Sequence, residues 1–142
     1  MKVQDIMNRT VISIGADESV EVAARQLAHY NIGALPVCGA DGKLCGMVTD
    51  RDLVLRCIAA NRPAGATKVR DVMTSQVVAA QPEMDLGVAA HLMGRQQVRR
   101  LPVTHNGALC GMLSLGDLAS REESMMDAAD ALGDITSNIV PR

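Results

Sequence analysis

Lys43-Leu44-Cys45-Gly46-Met47-Val48-Thr49-Asp50-Arg51-Asp52-Leu53 returns further along the chain as Ala108-Leu109-Cys110-Gly111-Met112-Leu113-Ser114-Leu115-Gly116-Asp117-Leu118. In each copy an apolar, strand-like run passes through a hydroxyl residue into a segment with an aspartate three positions on. Working outward, Val3-Gln4-Asp5-Ile6-Met7 recurs as Val69-Arg70-Asp71-Val72-Met73, Val22-Ala23-Ala24 as Val88-Ala89-Ala90, and Leu35-Pro36-Val37 as Leu101-Pro102-Val103. The offset is about 66 residues, dropping by one at the turn around Asp41, and exceeds the roughly 20 to 50 residues of solenoid and propeller repeats. Two copies of this length imply a pseudo-symmetric pair with equivalent clefts, where a duplicated polar signature is useful.

The chain has 142 residues, enough to bury a core and fold independently. Almost half the residues are apolar, yet there is no Trp or Phe and a single tyrosine, Tyr30, so aliphatic residues and nine Met must fill the interior. Base stacking on aromatic rings is nearly excluded, which argues against a single-strand nucleic-acid platform. The net charge of −2, with scattered basic residues apart from Arg95, Arg99 and Arg100, argues against a phosphate-backbone footprint. The start of the chain has no signal-peptide pattern, and no apolar run approaches the 18 or so residues of a spanning helix, so a soluble cytoplasmic protein with no membrane partner is expected. Cys38, Cys45, Cys57 and Cys110 lack zinc-site spacing, so no metal site is expected, and Cys45 and Cys110 read as small hydrophobes inside a strand.

Each repeat reads as strand, helix, strand, strand, helix, an α/β (α+β) fold of two β-α-β-β-α units. In the first, β-branched residues 10–14 bounded by Gly15 predict a strand. Asp17 offers an N-cap, and the helical spacing of Val20, Ala23, Ala24 and Leu27 predicts a helix over about 18–30 that Asn31 and Gly33 end. Residues 34–38 predict a strand whose Pro36, with no N–H to donate, belongs at a sheet edge or strand start. The run Gly39-Ala40-Asp41-Gly42 predicts the turn of an antiparallel hairpin with residues 44–48. A helix over 51–60 follows, which Pro63 stops. The second repeat predicts strands at 77–80, 101–104 and 109–113, a helix over about 83–96 and another from near Gly116. Gly87 and Gly94 cost the longer of these helices about 1 kcal/mol each relative to Ala, so packing must compensate. The resulting division is repeat one at 1–62, a linker at 63–68, repeat two at 69–121, and a helical extension with a loose tail at 122–142.

A strand-to-helix junction such as Thr49-Asp50-Arg51-Asp52 exposes unpaired backbone N–H groups and the positive end of the helix dipole, which suits an anion. A hydroxyl there can bond a phosphate oxygen, and a carboxylate one turn on can accept from sugar hydroxyls. The same spacing is also a helix capping box in which both side chains serve the backbone, and duplication does not separate the two readings, because duplicated helices inherit duplicated caps.

The succession Asp-Ile-Met, Leu-Pro-Val and Gly-Lys-Leu-Cys-Gly-Met-Val-Thr-Asp-Arg-Asp-Leu resembles a CBS motif, the regulatory unit named after cystathionine β-synthase, and its two copies resemble the tandem called a Bateman module, over about residues 3 to 120. The resemblance implies β-α-β-β-α units packed about a pseudo-twofold axis, and an adenine nucleotide or a derivative held in clefts between the repeats. Carried over residue by residue, it implies that Asp52 and Asp117 take ribose hydroxyls and that Thr49 and Ser114 contact phosphate. Thr10, Ile12, Gly33, Ala34 and Pro36 would line one adenine pocket, and Val78, Arg99, Arg100 and Pro102 the other.

The copies diverge where Gly33-Ala34 becomes Arg99-Arg100. Guanidinium groups beside a cleft are good phosphate partners, although on a plain surface they are simply solvated, so this cleft is expected to prefer the more highly phosphorylated nucleotide. The leading expectation is a stand-alone, non-catalytic module that needs no cofactor, binds AMP, ADP or ATP as a regulatory ligand, and signals through its own dimer or an unidentified effector protein. The resemblance also implies a homodimer packed through helices, with Val54, Ile58, Val88 and Met93 as its apolar face or, alternatively, as internal core. A structural dimerisation module with empty clefts and an S-adenosylmethionine or NAD sensor are the alternatives. Catalysis is not expected, because His29, His91 and His105 accompany no nucleophile motif, Gly-rich phosphate loop or metal-ligand cluster.

Overall fold

The first segment of each repeat folds against the other repeat. A computed structural model describes residues 1–121 and 124–137 and divides into two compact units, one made of Met1–Val11 with Val78–Arg142 and the other of Ile12–Val77. The division by sequence repeat and the division by contact therefore differ. Residues 122–123 and 138–142, where the extension was expected to begin and its tail to lie, are outside the described residues.

In the Ile12–Val77 unit the elements are β1 (Ile14–Gly15), α1 (Val20–Tyr30), β2 (Ala34–Cys38), β3 (Leu44–Thr49), α2 (Asp50–Leu53) running into a π-helical stretch (Val54–Ile58), and a 3-10 turn (Val69–Asp71). β2 is the central strand, parallel to β1 and antiparallel to β3. The 3-10 turn belongs here because Val69 and Arg70 donate backbone N–H bonds to the carbonyls of Glu18 and Ala16, and Thr74 bridges to Met47. Val69 and Val72 lie fully buried in a core with Val20, Ala23, Leu35, Val37, Val48 and Cys57.

The other unit repeats this plan with the parts exchanged. A short helix, α3 (Val3–Ile6), sits where the 3-10 turn sits in its counterpart: Val3 and Gln4 donate to the carbonyls of Met84 and Pro82, and Asn8 bridges to Met112. It packs with α4 (Leu86–Gln96), the hairpin β4 (Arg100–His105) and β5 (Ala108–Ser114), α5 (Leu115–Ala119) and α6 (Met125–Thr136). Val3, Leu86, Ala89, Met93, Leu101, Val103, Leu113 and Leu118 form its core, joined by Ala128 and Ala131 of α6. Met93, one of the expected dimer-face residues, is thus internal.

The exchange explains the glycine of each Leu-Cys-Gly-Met motif. A Cβ on Gly46 would lie 2.6 Å from Met73 Sδ and 2.9 Å from the Thr74 carbonyl oxygen, and one on Gly111 would lie 2.6 Å from Met7 Sδ and 3.2 Å from the Asn8 carbonyl oxygen. Only a hydrogen fits where the incoming segment crosses the hairpin.

Several expected elements are shorter or shifted. The strand expected over 10–14 contracts to Ile14–Gly15, and the one over 77–80 to a single parallel bridge, Ala80 with Val103. The prolines are the reason. Ala80 donates to the Pro102 carbonyl and accepts from Thr104 N–H, so the next rung would pair the Val78 carbonyl with the nitrogen of residue 102, which carries no hydrogen. By the same register Ile12 would need a donor at Pro36. Pro36 consequently sits inside the central strand, not at an edge or strand start as expected, because its bare nitrogen faces the place where the first strand stops.

Ser19, not Asp17, caps α1, its Oγ accepting from Val22 N–H at 3.2 Å, while the Asp17 carboxylate pairs with Arg70 and lies 3.8 Å from Lys68 Nζ. The α1 and α4 helices end at Asn31 and Gln97, both in the left-handed region. The hairpin turns use Gly42 (φ 78°) in one unit and Asn106-Gly107 (φ 52° and 83°) in the other.

Candidate functional site

Both hydroxyl–aspartate pairs form reciprocal capping boxes. Asp52 N–H donates to Thr49 Oγ1 (3.1 Å) and Thr49 N–H to Asp52 Oδ2 (3.0 Å). Asp117 N–H donates to Ser114 Oγ (3.0 Å) and Ser114 N–H to Asp117 Oδ2 (2.9 Å). These bonds do not exhaust the side chains. A hydroxyl has two acceptor lone pairs and one donor hydrogen, and the cap uses only a lone pair; a carboxylate has two oxygens, and the cap uses only Oδ2. Each box therefore retains an O–H that can donate to a phosphate oxygen and an Oδ1 that can accept from a sugar hydroxyl. Asp52 Oδ1 makes an i,i+4 ion pair with Arg56 Nε at 3.9 Å but accepts no hydrogen bond, and Asp117 Oδ1 has no partner among the described residues. Capping and ligand binding are chemically compatible at the same residues.

The strands set what surrounds each box. Ala34 pairs with Thr49 across the hairpin, and the Gly33 carbonyl accepts from Asp50 N–H at 3.0 Å. A Cβ on Gly33 would be 3.5 Å from Asp50 Oδ2, so this rim carries a carboxylate. In the other unit Arg100 pairs with Ser114, and the Arg99 carbonyl accepts from Leu115 N–H at 2.8 Å, so the matching rim carries two exposed guanidinium groups. The two rims thus differ in charge: Gly33-Ala34 with Asp50 and Arg51 in one unit stand against Arg99-Arg100 with Leu115 and Gly116 in the other.

The expected site residues divide between the units as follows. Gly33, Ala34, Pro36, Thr49 and Asp52 gather on and beside β2 and β3, with Ile12 half-buried against the same core. Arg99, Arg100, Pro102, Ser114 and Asp117 gather on β4, β5 and α5, with Val78 half-buried in the same unit. Thr10 is exposed and belongs to this second group's unit, its N–H on Asn8 Oδ1 at 3.0 Å, whereas Ile12 belongs to the other. Since Pro36 and Pro102 end the parallel ladders, the backbones at Ile12 and Val78 make no hydrogen bond to a strand among the described residues.

An open cleft of about 590 Å³ lies beside the second box, with Arg99, Arg100 and Ser114 on one side, Leu115, Gly116 and Ala119 behind them, and Met125, Ala128, Ala129 and Leu132 of α6 opposite. The α6 wall was not anticipated as part of a site. Its signal in the sequence is the seven-residue spacing of Gly87 and Gly94, matched by the same spacing of Asp127 and Asp134.

All four cysteines are free, and burial, aided by the neighbouring Cys45, pushes the Cys38 thiol above its ordinary value, so it stays protonated at neutral pH. No cluster of three or more His, Cys, Asp or Glu among the described residues is placed to hold a metal ion, and no described helix is long and apolar enough to cross a membrane.

Two α+β units that exchange their leading segments, each carrying a hairpin that runs through a hydroxyl–aspartate box into a helix, define a duplicated α+β module. The model of the CBS domain matches residues 3–58 and 69–124, and the chain belongs to the CBS domain family as a tandem pair, a regulatory module. It is 39% identical over 134 residues to the CBS domain-containing protein YhcV of Bacillus subtilis, covering 94% of each. The crystal structure of Hypoxic Response Protein I with two coordinated zinc ions matches at 31% identity and a TM-score of 0.79, over 85% of this chain and 98% of that one. The CBS domain pair of protein MJ0100, in complex with methylthioadenosine and S-adenosyl-L-methionine, matches at 25% identity and a TM-score of 0.75, over 84% of this chain and 94% of that one.

Proposed function

We propose that this CBS pair is a non-catalytic, cytoplasmic sensor of adenine nucleotides of the AMP, ADP and ATP class, binding at the Thr49/Asp52 and Ser114/Asp117 boxes. The observation that carries this reading is that at both boxes the cap leaves the hydroxyl hydrogen and the carboxylate Oδ1 free of hydrogen bonds, a donor for phosphate and an acceptor for ribose, with Asp52 Oδ1 ion-paired only at 3.9 Å to Arg56. The unladdered backbone at Ile12 and Val78 supplies polar groups for the edge of a base, and Arg99 and Arg100 supply positive charge for phosphates. Free cysteines fit a reducing compartment. Output passes through a homodimer or an effector protein, and Val54 and Ile58 in one unit and Val88 in the other, each more than half exposed, are candidates for helix-mediated dimer contacts.

A second reading, an S-adenosylmethionine sensor, is supported by the ligands of the MJ0100 pair. It differs in having a positively charged sulfonium where a nucleotide has phosphate, which the two arginines disfavour. Thermal unfolding with AMP, ADP, ATP, NAD and S-adenosylmethionine separates these readings, since a ligand at 100 times its Kd adds about 2.7 kcal/mol of stability. The decisive variants are Asp52→Asn and Asp117→Asn. Asparagine keeps one oxygen for the cap but replaces the spare acceptor with an NH2. Each should bind nucleotide roughly ten- to a hundredfold more weakly, corresponding to about 1.5–3 kcal/mol, with an unchanged melting temperature of the free protein. Unaltered calorimetric affinity in both variants would reduce the carboxylates to caps, and no stabilisation by any ligand would favour a purely structural module.

A further inference from the structure

α6 makes two otherwise matched units unequal. It packs along α4, where a Cβ on Gly94 would fall 2.7 Å from Asp134 Oδ2 and 3.1 Å from Asp134 Cβ, and where Gly87 faces Asp127. The two glycines, costly to a helix by themselves, form the track on which α6 lies. The equivalent helix of the other unit carries Glu21 and Ala28 at these places and offers no such track. The start of α6 is tied to the end of α5 by Ser124, only 2% exposed, whose hydroxyl donates to the Leu118 carbonyl at 2.5 Å. α5 in turn begins immediately after Ser114, so one end of a five-residue helix holds the second box and the other end holds α6.

Placed this way, α6 turns an apolar wall of Met125, Ala129 and Leu132 toward the cleft whose opposite rim is Arg99, Arg100 and Ser114. We infer that α6 closes the phosphate end of the second site. Resting on the nucleotide reading above, this gives that reading a regulatory consequence. An apolar wall displaces water from around the guanidinium–phosphate pairs and strengthens them, because charges attract more strongly in a medium of lower effective dielectric constant. Polyphosphate binding and α6 docking are then reciprocally linked: each stabilises the other by the same factor. The output of ligand binding at this site is a tighter docking of α6, and the first site, without a counterpart of α6 among the described residues, has no such output.

The test uses the full chain with Asp52→Asn to weaken the first site. Ala129→Glu places a carboxylate on the exposed, cleft-facing side of α6 opposite the arginines and should lower ATP affinity at least tenfold and AMP affinity less. Met126→Glu, on the same helix but outside the cleft and 75% exposed, should leave both affinities unchanged. In the chain with α6 unaltered, ATP should slow hydrogen exchange of the amides of 125–136. ATP bound equally well by the Ala129→Glu and Met126→Glu chains, or no slowing of exchange at saturating ATP, overturns the inference and leaves the nucleotide reading standing. Failure of the wild-type chain to bind AMP or ATP overturns the nucleotide reading, and this inference with it.

Discussion

At the scale of single residues, the hydroxyl–aspartate pairs cap their helices, and the ligand role proposed for them would draw on atoms that the caps leave over. Thr49 and Asp52 stand three apart because a helix N-terminus requires it, and the same geometry leaves Oγ1–H and Oδ1 without a hydrogen bond. The spacing was legible in the sequence because capping is local. That the cap leaves half of each side chain available was not, since it depends on which atoms the neighbouring strand and helix consume. Arg99 and Arg100 were legible as charge, but the place of Arg100 opposite Ser114 and of Arg99 beside Leu115 follows from the β4–β5 register. Arg99→Ala should weaken ATP binding more than AMP binding, because removing one guanidinium subtracts more from the ligand with more phosphates; isothermal titration with both nucleotides checks this, and equal losses would count against a phosphate role.

At the scale of elements, hydrophobic patterning located the helices and hairpins well, while the first strand of each repeat came out shorter. Thr10-Val11-Ile12-Ser13-Ile14 has the β-branched composition of a strand, but the partner's proline withholds the rung that would extend it. A propensity is a property of one segment, and a ladder needs two. The π-helical stretch Val54–Ile58 had no signal in the pattern either; it is closed by bonds from Ala59 N–H to the Val54 carbonyl and from Arg62 N–H to the Cys57 carbonyl. The crossing at the hairpin glycines belongs to this scale. Gly46→Ala should destabilise the protein by about 1–3 kcal/mol, since the Thr74 backbone oxygen must move. Gly111→Ala should cost less, because its nearest obstacle is the flexible Met7 thioether and the Asn8 carbonyl oxygen stands farther off. Thermal or denaturant unfolding of the two variants gives the ordering.

At the scale of the whole molecule, the repeat seen in the sequence and the compact unit of the fold are different divisions of the chain. Val69 and Val72, at the head of the second repeat, are buried in the unit built mainly from the first, and Val3 and Met7 are buried in the reverse sense. A fragment of residues 12–77 should therefore hold more helical structure by circular dichroism than a fragment of residues 1–62. The latter lacks two buried valines, each contributing roughly 1.5–3 kcal/mol, and carries Val3 with nothing to bury it. Equal helicity in the two fragments would contradict the exchange. The proposed dimer contact is tested by Ile58→Asp, at a residue 66% exposed, which should shift sedimentation toward monomer; an unchanged sedimentation coefficient would count against this residue as a dimer contact. The sequence by itself determined the duplication, the order of elements and the identity of the duplicated polar residues, because these rest on local periodicity, capping and internal comparison. Only the tertiary structure decided which copy of each leading segment packs on which hairpin, and that α6 walls one cleft. Those outcomes depend on close approaches between residues far apart in the chain, at Gly46, Gly94 and Gly111, which local periodicity does not encode.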